Sequence, residues 1–249
     1  MRSDPASRFP SVPAGERLYA VGDIHGRADL LSRLLDRIAD DAARHPHCRP
    51  TLVFLGDYVD RGPQSRQVVE RLQAGPPAGG SLAAAEWICL RGNHEDYLLR
   101  FLDDLTAGRA WCANGGVETV QSYAGALPET HSGDIAALQL ALTRSLPRSH
   151  LRFLSRLPLW HRAGDYLFVH AGIRPGIALD QQSPADMLWI RDDFLLDPTC
   201  HPWVVVHGHS QCPAPEIRAN RIGIDTGAYQ SGLLTALVLD GDRRHFLSS

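Results

Sequence analysis

Lysine is absent from this chain, so all 25 Lys-plus-Arg positions are arginine. The absence excludes Schiff-base catalysis and any phosphate loop that depends on a lysine; a GC-rich genome is reason enough for the bias. Cysteine is sparse. Cys48, Cys89, Cys112, Cys200 and Cys212 are odd in number, scattered and without a C-x-x-C spacing, which argues against a disulfide framework or a thiolate zinc site and for a reducing cytoplasm. No apolar run approaches the roughly 18 residues that a membrane span requires, and the first sixteen residues, rich in Pro, Ser and Ala, hold no apolar signal stretch. A clustered basic tract is missing too. With 28 acidic residues against 25 arginines, the net charge is -3, so neither nucleic acid nor membrane is expected as a partner. A cytoplasmic protein with a flexible N-terminus over residues 1–16 is the expectation.

What is present suits one large core: 249 residues, 44% of them hydrophobic. Residues 17–249 are read as a single domain. The apolar run at 18–21 ends in Gly22-Asp23 and is followed by Leu30, Leu31, Leu34, Leu35 and Ile38 at helical spacing. The same strand, loop and helix pattern recurs at 51–55 with Gly56-Asp57 and a helix over 64–73, and at 87–90 with Gly92-Asn93 and a helix from 95. Three such units imply an α/β sheet whose polar loops converge at the carboxyl ends of the strands. From 98 to 154 the period is helical, with Ile135, Leu138, Leu142 and Leu146 on one face, so a helical cap over about 105–155 is expected. Residues 157–162 and 166–169 flank Ala163-Gly164-Asp165 as a hairpin, and 203–206, 221–224, 233–239 and 245–247 read as further strands.

Five segments place metal-binding side chains just after a predicted strand: Gly22-Asp23-Ile24-His25-Gly26, Gly56-Asp57-Tyr58-Val59-Asp60-Arg61-Gly62, Gly92-Asn93-His94-Glu95, His170-Ala171-Gly172 and His207-Gly208-His209. Each alone is most often a turn or a packed histidine. Together they are not, since Gly-Asp-x-His-Gly alone arises by chance at roughly one site in 10⁵. Oxygen and imidazole donors suit Mn, with Fe or Zn next, and not a soft thiolate site.

The intact signatures at 22–26, 56–62 and 92–95 resemble the phosphoprotein phosphatase family of calcineurin-like metallophosphoesterases, in its bacterial branch, over residues 18–240. The resemblance implies a two-sheet α/β sandwich flanked by helices, with a helical cap insertion. It implies two divalent metal ions, the first held by Asp23 and His25, the second by Asn93, His170 and a histidine of 207–209, with Asp57 bridging both. The family pattern favours His209, leaving His207 to the surroundings of the site or to substrate. Two close cations can activate a shared hydroxide for in-line attack on phosphorus, so no covalent nucleophile is needed. By the same resemblance His94 is the general acid, held by Asp60, and Arg61 and Arg191 bind phosphate oxygens through planar forks. Glu95 is read as a charge in the first turn of its helix.

The substrate is less well marked. The segment 114–119, Asn-Gly-Gly-Val-Glu-Thr, resembles a bacterial cap segment and is open between a phosphate-facing backbone and a plain turn. On the first reading, residues 107–123 overhang the metals and select substrate through Asn114 and the Gly115-Gly116 backbone, without supplying a metal ligand. Trp111 and Tyr123 are read as cap core ahead of an aromatic platform, and Tyr229, after the Asp225-Thr226-Gly227 turn, as reaching the pocket. The leading expectation is a phosphatase of phosphoserine, phosphothreonine or phosphotyrosine in proteins, or of small phosphoesters. A symmetrical dinucleoside-polyphosphate hydrolase is the alternative, set second because that branch usually carries Asp where Glu95 stands. A non-catalytic scaffold for phosphorylated partners ranks third.

Overall fold

The computed structural model describes residues 9–125 and 133–249. In chain order the elements are β1 (Glu16–Val21), α1 (Ala28–Ala43), β2 (Arg49–Phe54), α2 (Ser65–Ala74), β3 (Glu86–Cys89), α3 (Asn93–Asp103) and α4 (Leu105–Trp111). A π-turn over Cys112–Gly116 leads to α5 (Val117–Ala124), α6 (Ile135–Ser145) and α7 (Arg148–Ser155). Then follow β4 (Trp160–Ala163), β5 (Tyr166–Val169), α8 (Pro184–Trp189), α9 (Asp192–Leu195), β6 (Val204–His207), β7 (Glu216–Ile217), β8 (Arg221–Gly223), α10 (Ala228–Ser231), β9 (Thr235–Asp240) and β10 (Arg243–Ser248).

The strands form two five-stranded sheets, in the orders β10-β9-β1-β2-β3 and β4-β5-β6-β8-β7. β1, β2 and β3 run parallel, as do β5, β6 and β8, while the hairpin partners β9, β10, β4 and β7 are antiparallel. Period-2 alternation explains the layering. Leu18 and Ala20 of β1 and Tyr166 and Phe168 of β5 meet between the sheets, whereas Tyr19 and Val21 face α1 and the cap, and Leu167 and Val169 face α8 and α9. The architecture is an α/β sandwich of two mixed sheets flanked by helices.

Local chemistry sets the helices. α1 buries Leu30, Leu31, Leu34, Leu35 and Ile38 as one stripe, and Asp134 caps α6 by accepting from the backbone N–H groups of Ala136 and Ala137. The expected flexible N-terminus lies outside the described residues for residues 1–8. Residues 11–16 are instead fastened: Val12 is buried and donates its N–H to Gly241 O, and Ser11 N donates to Asp165 Oδ2 at 2.9 Å. Among the described residues no helix is long and apolar enough to cross a membrane.

Candidate metal centre and active site

Six strand ends deliver the site. β1 leads into Asp23 and His25, β2 into Asp57, Asp60 and Arg61, β3 into Asn93 and His94, β5 into His170, β6 into His209 and β8 into Asp225. Parallel strands put all these loops at one edge of the sandwich, which gathers residues far apart in sequence. The backbone there is forced. Among the described residues, the non-glycine residues with positive φ are His25, Asp57, Asp60, Arg61 and His209, and left-handed backbone of this kind persists only where its surroundings impose it.

Two clusters of potential ligands share Asp57: His25, Asp57 and His94 form one, and Asp57, His170 and His209 the other. His25 Nε2 lies 3.5 Å and His170 Nε2 3.4 Å from the two oxygens of Asp57. Asn93 Oδ1 sits 2.8 Å from His170 Nε2 and 2.9 Å from His209 Nδ1. The rings of His25 and His170 each use Nδ1 on a backbone carbonyl, Val59 O and Leu55 O. That tautomer turns both Nε2 lone pairs towards Asp57 and Asn93, an acceptor-rich space that a cation would satisfy. Buried and unpartnered atoms agree: Asp23 Oδ1, His25 Nε2 and His209 Nε2 have no hydrogen-bond partner. A side chain at Gly208 would collide with the Asp23 carboxylate, so only glycine lets the β6 loop close here.

The electrostatics point the same way. Burial, then the charges of Asp225 and Asp57, push the Asp23 carboxyl well above the usual carboxylate range. Burial, with the charge of Asp57 adding to it, raises Asp225 to about 6. Asp57 is held low despite its burial because His170, His94 and His25 surround it. Burial drives His25 down to about 3, which keeps the imidazole neutral and fit to bind a metal. The donors present therefore fit two divalent cations.

His94 differs. Burial opposes its charge, yet Asp57 and the hydrogen-bonded Asp60 raise it to about 9. Its Nδ1 is 2.6 Å from Asp60 Oδ2, and its Nε2 is 3.8 Å from Asp57 Oδ2 and 3.3 Å from Arg61 Nη2. The ring is thus held between two carboxylates and the Arg61 guanidinium, buried beside the first cluster. The Arg61 guanidinium stacks 4.8 Å over the Tyr229 ring, which in turn lies 5.5 Å from His25. Arg191 reaches Ser210 Oγ at 3.4 Å, beside His209.

Two expected substrate contacts are not brought to the site. His207, the last residue of β6, points by strand alternation to the outer face of its sheet, with its ring 5.3 Å from Phe194. The Asn114 amide is exposed and turned back on its own turn, where Nδ2 donates to Ala110 O at 2.8 Å. The cap meets the site through other atoms. Arg61 N donates to Gly115 O at 3.1 Å, Trp111 Nε1 to Asp60 Oδ2 at 2.7 Å, and Thr119 Oγ1 to Asp60 Oδ1 at 2.6 Å. Glu95 also does more than charge a helix end. Its carboxylate accepts from the N–H groups of Asp57, Tyr58, Val59 and Gly92, clamping the Asp57 loop from beneath.

A two-sheet sandwich whose strand ends gather paired His/Asp clusters around one shared carboxylate defines a metallophosphoesterase. The family model described as calcineurin-like phosphoesterase matches residues 16–231, and the chain belongs to that family. It is 27% identical to the bis(5'-nucleosyl)-tetraphosphatase PrpE (asymmetrical) of Halalkalibacterium halodurans, over 87% of each chain. A symmetrical bis(5'-nucleosyl)-tetraphosphatase from Dechloromonas aromatica is 32% identical over 63% of this chain and 44% of its own. Among solved structures, one named provisionally as a diadenosine tetraphosphatase superposes with a TM-score of 0.66 at 22% identity, covering 97% of this chain and 99% of that one. A yeast protein serine/threonine phosphatase superposes with a TM-score of 0.55 at 16% identity, over 96% of this chain and 84% of that one. Both likenesses concern the fold alone.

Proposed function

We propose that this phosphoester hydrolase cleaves dinucleoside polyphosphates, and that it does so asymmetrically, to a nucleoside triphosphate and a nucleoside monophosphate when given a tetraphosphate. The observation that carries the reading is the length of the match to relatives named for that activity: the asymmetrical enzymes align over 87% of this chain and 87 to 88% of their own. The phosphoprotein reading that leads from sequence gives way to it. The weight once given to Glu95 falls away as well, because that carboxylate is buried under the Asp57 loop and makes no statement about substrate. A groove of about 440 Å³ lies at Trp189 and Arg191, with Asp186, Asp192 and Asp193 also in its lining, and Trp189 stands 6.2 Å from the His209 ring.

In this reading Asp23, His25, Asp57, Asn93, His170 and His209 hold two divalent cations, for which Mn, Fe or Zn suits the donors. When bound, these supply Lewis-acid stabilisation and a nucleophile from water at neutral pH. The chain's own groups do the rest. Arg61 and Arg191 orient the phosphate chain from opposite sides. His94 gives the Nε2 proton to the departing phosphate oxygen, and Asp60 keeps the Nδ1 proton in place, so that the ring acts as acid in one orientation only.

The test is to incubate the Mn-loaded protein with diadenosine tetraphosphate and, separately, a phosphopeptide panel, resolving products by ion-exchange chromatography. Equal ATP and AMP are expected. Two ADP molecules would overturn the asymmetry, and turnover of phosphopeptides without turnover of the dinucleotide would overturn the substrate class.

A further inference from the structure

Asp60 is fully buried, held at φ 73°, and takes three side-chain donors on its two oxygens. His94 Nδ1 and Trp111 Nε1 share Oδ2 at 2.6 and 2.7 Å, and Thr119 Oγ1 takes Oδ1 at 2.6 Å. The peptide of Asp60 is engaged as well: its N–H lies 2.8 Å from Thr119 Oγ1 and 3.1 Å from Ser65 Oγ. Two of the three side-chain donors therefore come from the cap, from the end of α4 and from α5. The turn between them is built for this. Gly115 stands at φ 101° against the Arg61 backbone, and a side chain at Gly116 would strike the Trp111 ring.

We propose that Trp111 and Thr119 are positioning residues for proton donation by His94, so that the cap completes the general acid while supplying no ligand to either cluster. The inference rests on the reading of His94 as the acid. With both cap donors in place, the Asp60 carboxylate cannot rotate, and it presents Oδ2 to His94 Nδ1 in a single geometry. That fixes the tautomer and aims Nε2 at the leaving oxygen. In the step itself the Nε2–H bond breaks, its electron pair stays on the ring, and the leaving oxygen gains the proton.

Plain packing makes a different forecast. A buried indole N–H needs some acceptor, and a threonine that served only to fill space would tolerate valine of the same shape. We would therefore compare Thr119→Val, Thr119→Ser and Trp111→Phe with His94→Asn across aryl phosphates of rising leaving-group pKa, with metal content measured in each. Thr119→Val and Trp111→Phe are expected to lose about 10- to 100-fold in kcat on poor leaving groups, less on nitrophenyl phosphate, with KM and metal content unchanged. Thr119→Ser should restore most of the loss. Independently of turnover, the low-field proton resonance of His94 Nδ1, assigned by its absence in His94→Asn, should shift or broaden in Thr119→Val. An unmoved resonance together with a wild-type dependence on leaving group would overturn the positioning role. A wild-type dependence in His94→Asn would instead overturn the acid reading, and the resonance would still decide whether the cap holds the ring. Trp111→Phe keeps the test open if Thr119→Val does not fold.

Discussion

Glu95 shows how far one side chain can act without touching substrate. Its two oxygens accept from the backbone of Asp57, Tyr58, Val59 and Gly92, so it fixes the loop that carries Asp57, the residue common to both clusters. Replacing it with glutamine leaves at least one of those N–H groups facing a donor. Loss of a buried partner costs roughly 1 to 3 kcal/mol, so Glu95→Gln should lower the unfolding free energy by about that much in urea titration and weaken metal binding through the loop. Asp57→Asn makes the complementary case. As the only residue common to both clusters, its loss should lower the affinity for both metals together, measured by elemental analysis after dialysis; one metal retained at wild-type affinity would show that the bridge lies elsewhere. Residues of this kind differ in legibility. Asp57 stands in a recognisable sequence pattern with strong local spacing, whereas the four bonds of Glu95 close over 36 to 38 residues for the loop at 57–59 and over 3 for Gly92, and no spacing rule announces the longer ones.

At the scale of elements, alternation and helical period were enough to find the long strands and helices. β1, β2, β5, β6 and β9 lie within a residue or two of their apolar runs, because burial on both faces leaves a continuous hydrophobic signature, and the half-buried edge strand β3 does so too. The short pieces were not visible. α8, α9, α10 and the two-residue β7 are fixed by what they pack against, and four or six residues carry too little periodicity to register. In the cap turn Asn114 reads as polar and available, whereas its exposed amide donates to Ala110 O. Asn114→Ala should accordingly stay within about 0.5 kcal/mol of wild type and leave the ranking of substrates unchanged. Gly115→Ala should not. At φ 101° with the Arg61 backbone against it, any side chain strains the turn and shifts Arg61, so a loss of about 1 to 3 kcal/mol and a fall in kcat/KM at constant metal content are expected from denaturation and steady-state assays.

For the molecule as a whole, the site is a store of unfavourable charge in the fold until cations occupy it. Burial and the charges of Asp225 and Asp57 raise Asp23 well above the usual range, and burial with the charge of Asp57 raises Asp225 to about 6. A carboxyl whose pKa is higher in the folded than in the unfolded chain binds its proton more tightly when folded. Its contribution is therefore fully present below the unfolded value near 4 and is lost as pH rises through about 6. In chelated protein the Asp225 carboxyl thus gives up its contribution between pH 4 and 6, while His25, which burial holds neutral down to about 3, works in the opposite sense. Divalent metal reverses the sign, since it competes with those protons and binds the ionised carboxylates best. At one hundred times its dissociation constant a single bound ligand adds about 2.7 kcal/mol, so Mn should raise the melting temperature, and the rise should grow from pH 5 to pH 7. Calorimetry with and without chelator across that range checks it. A metal-induced shift that shrank with pH, or one undiminished in Asp57→Asn, would mean that the cation binds outside the two clusters.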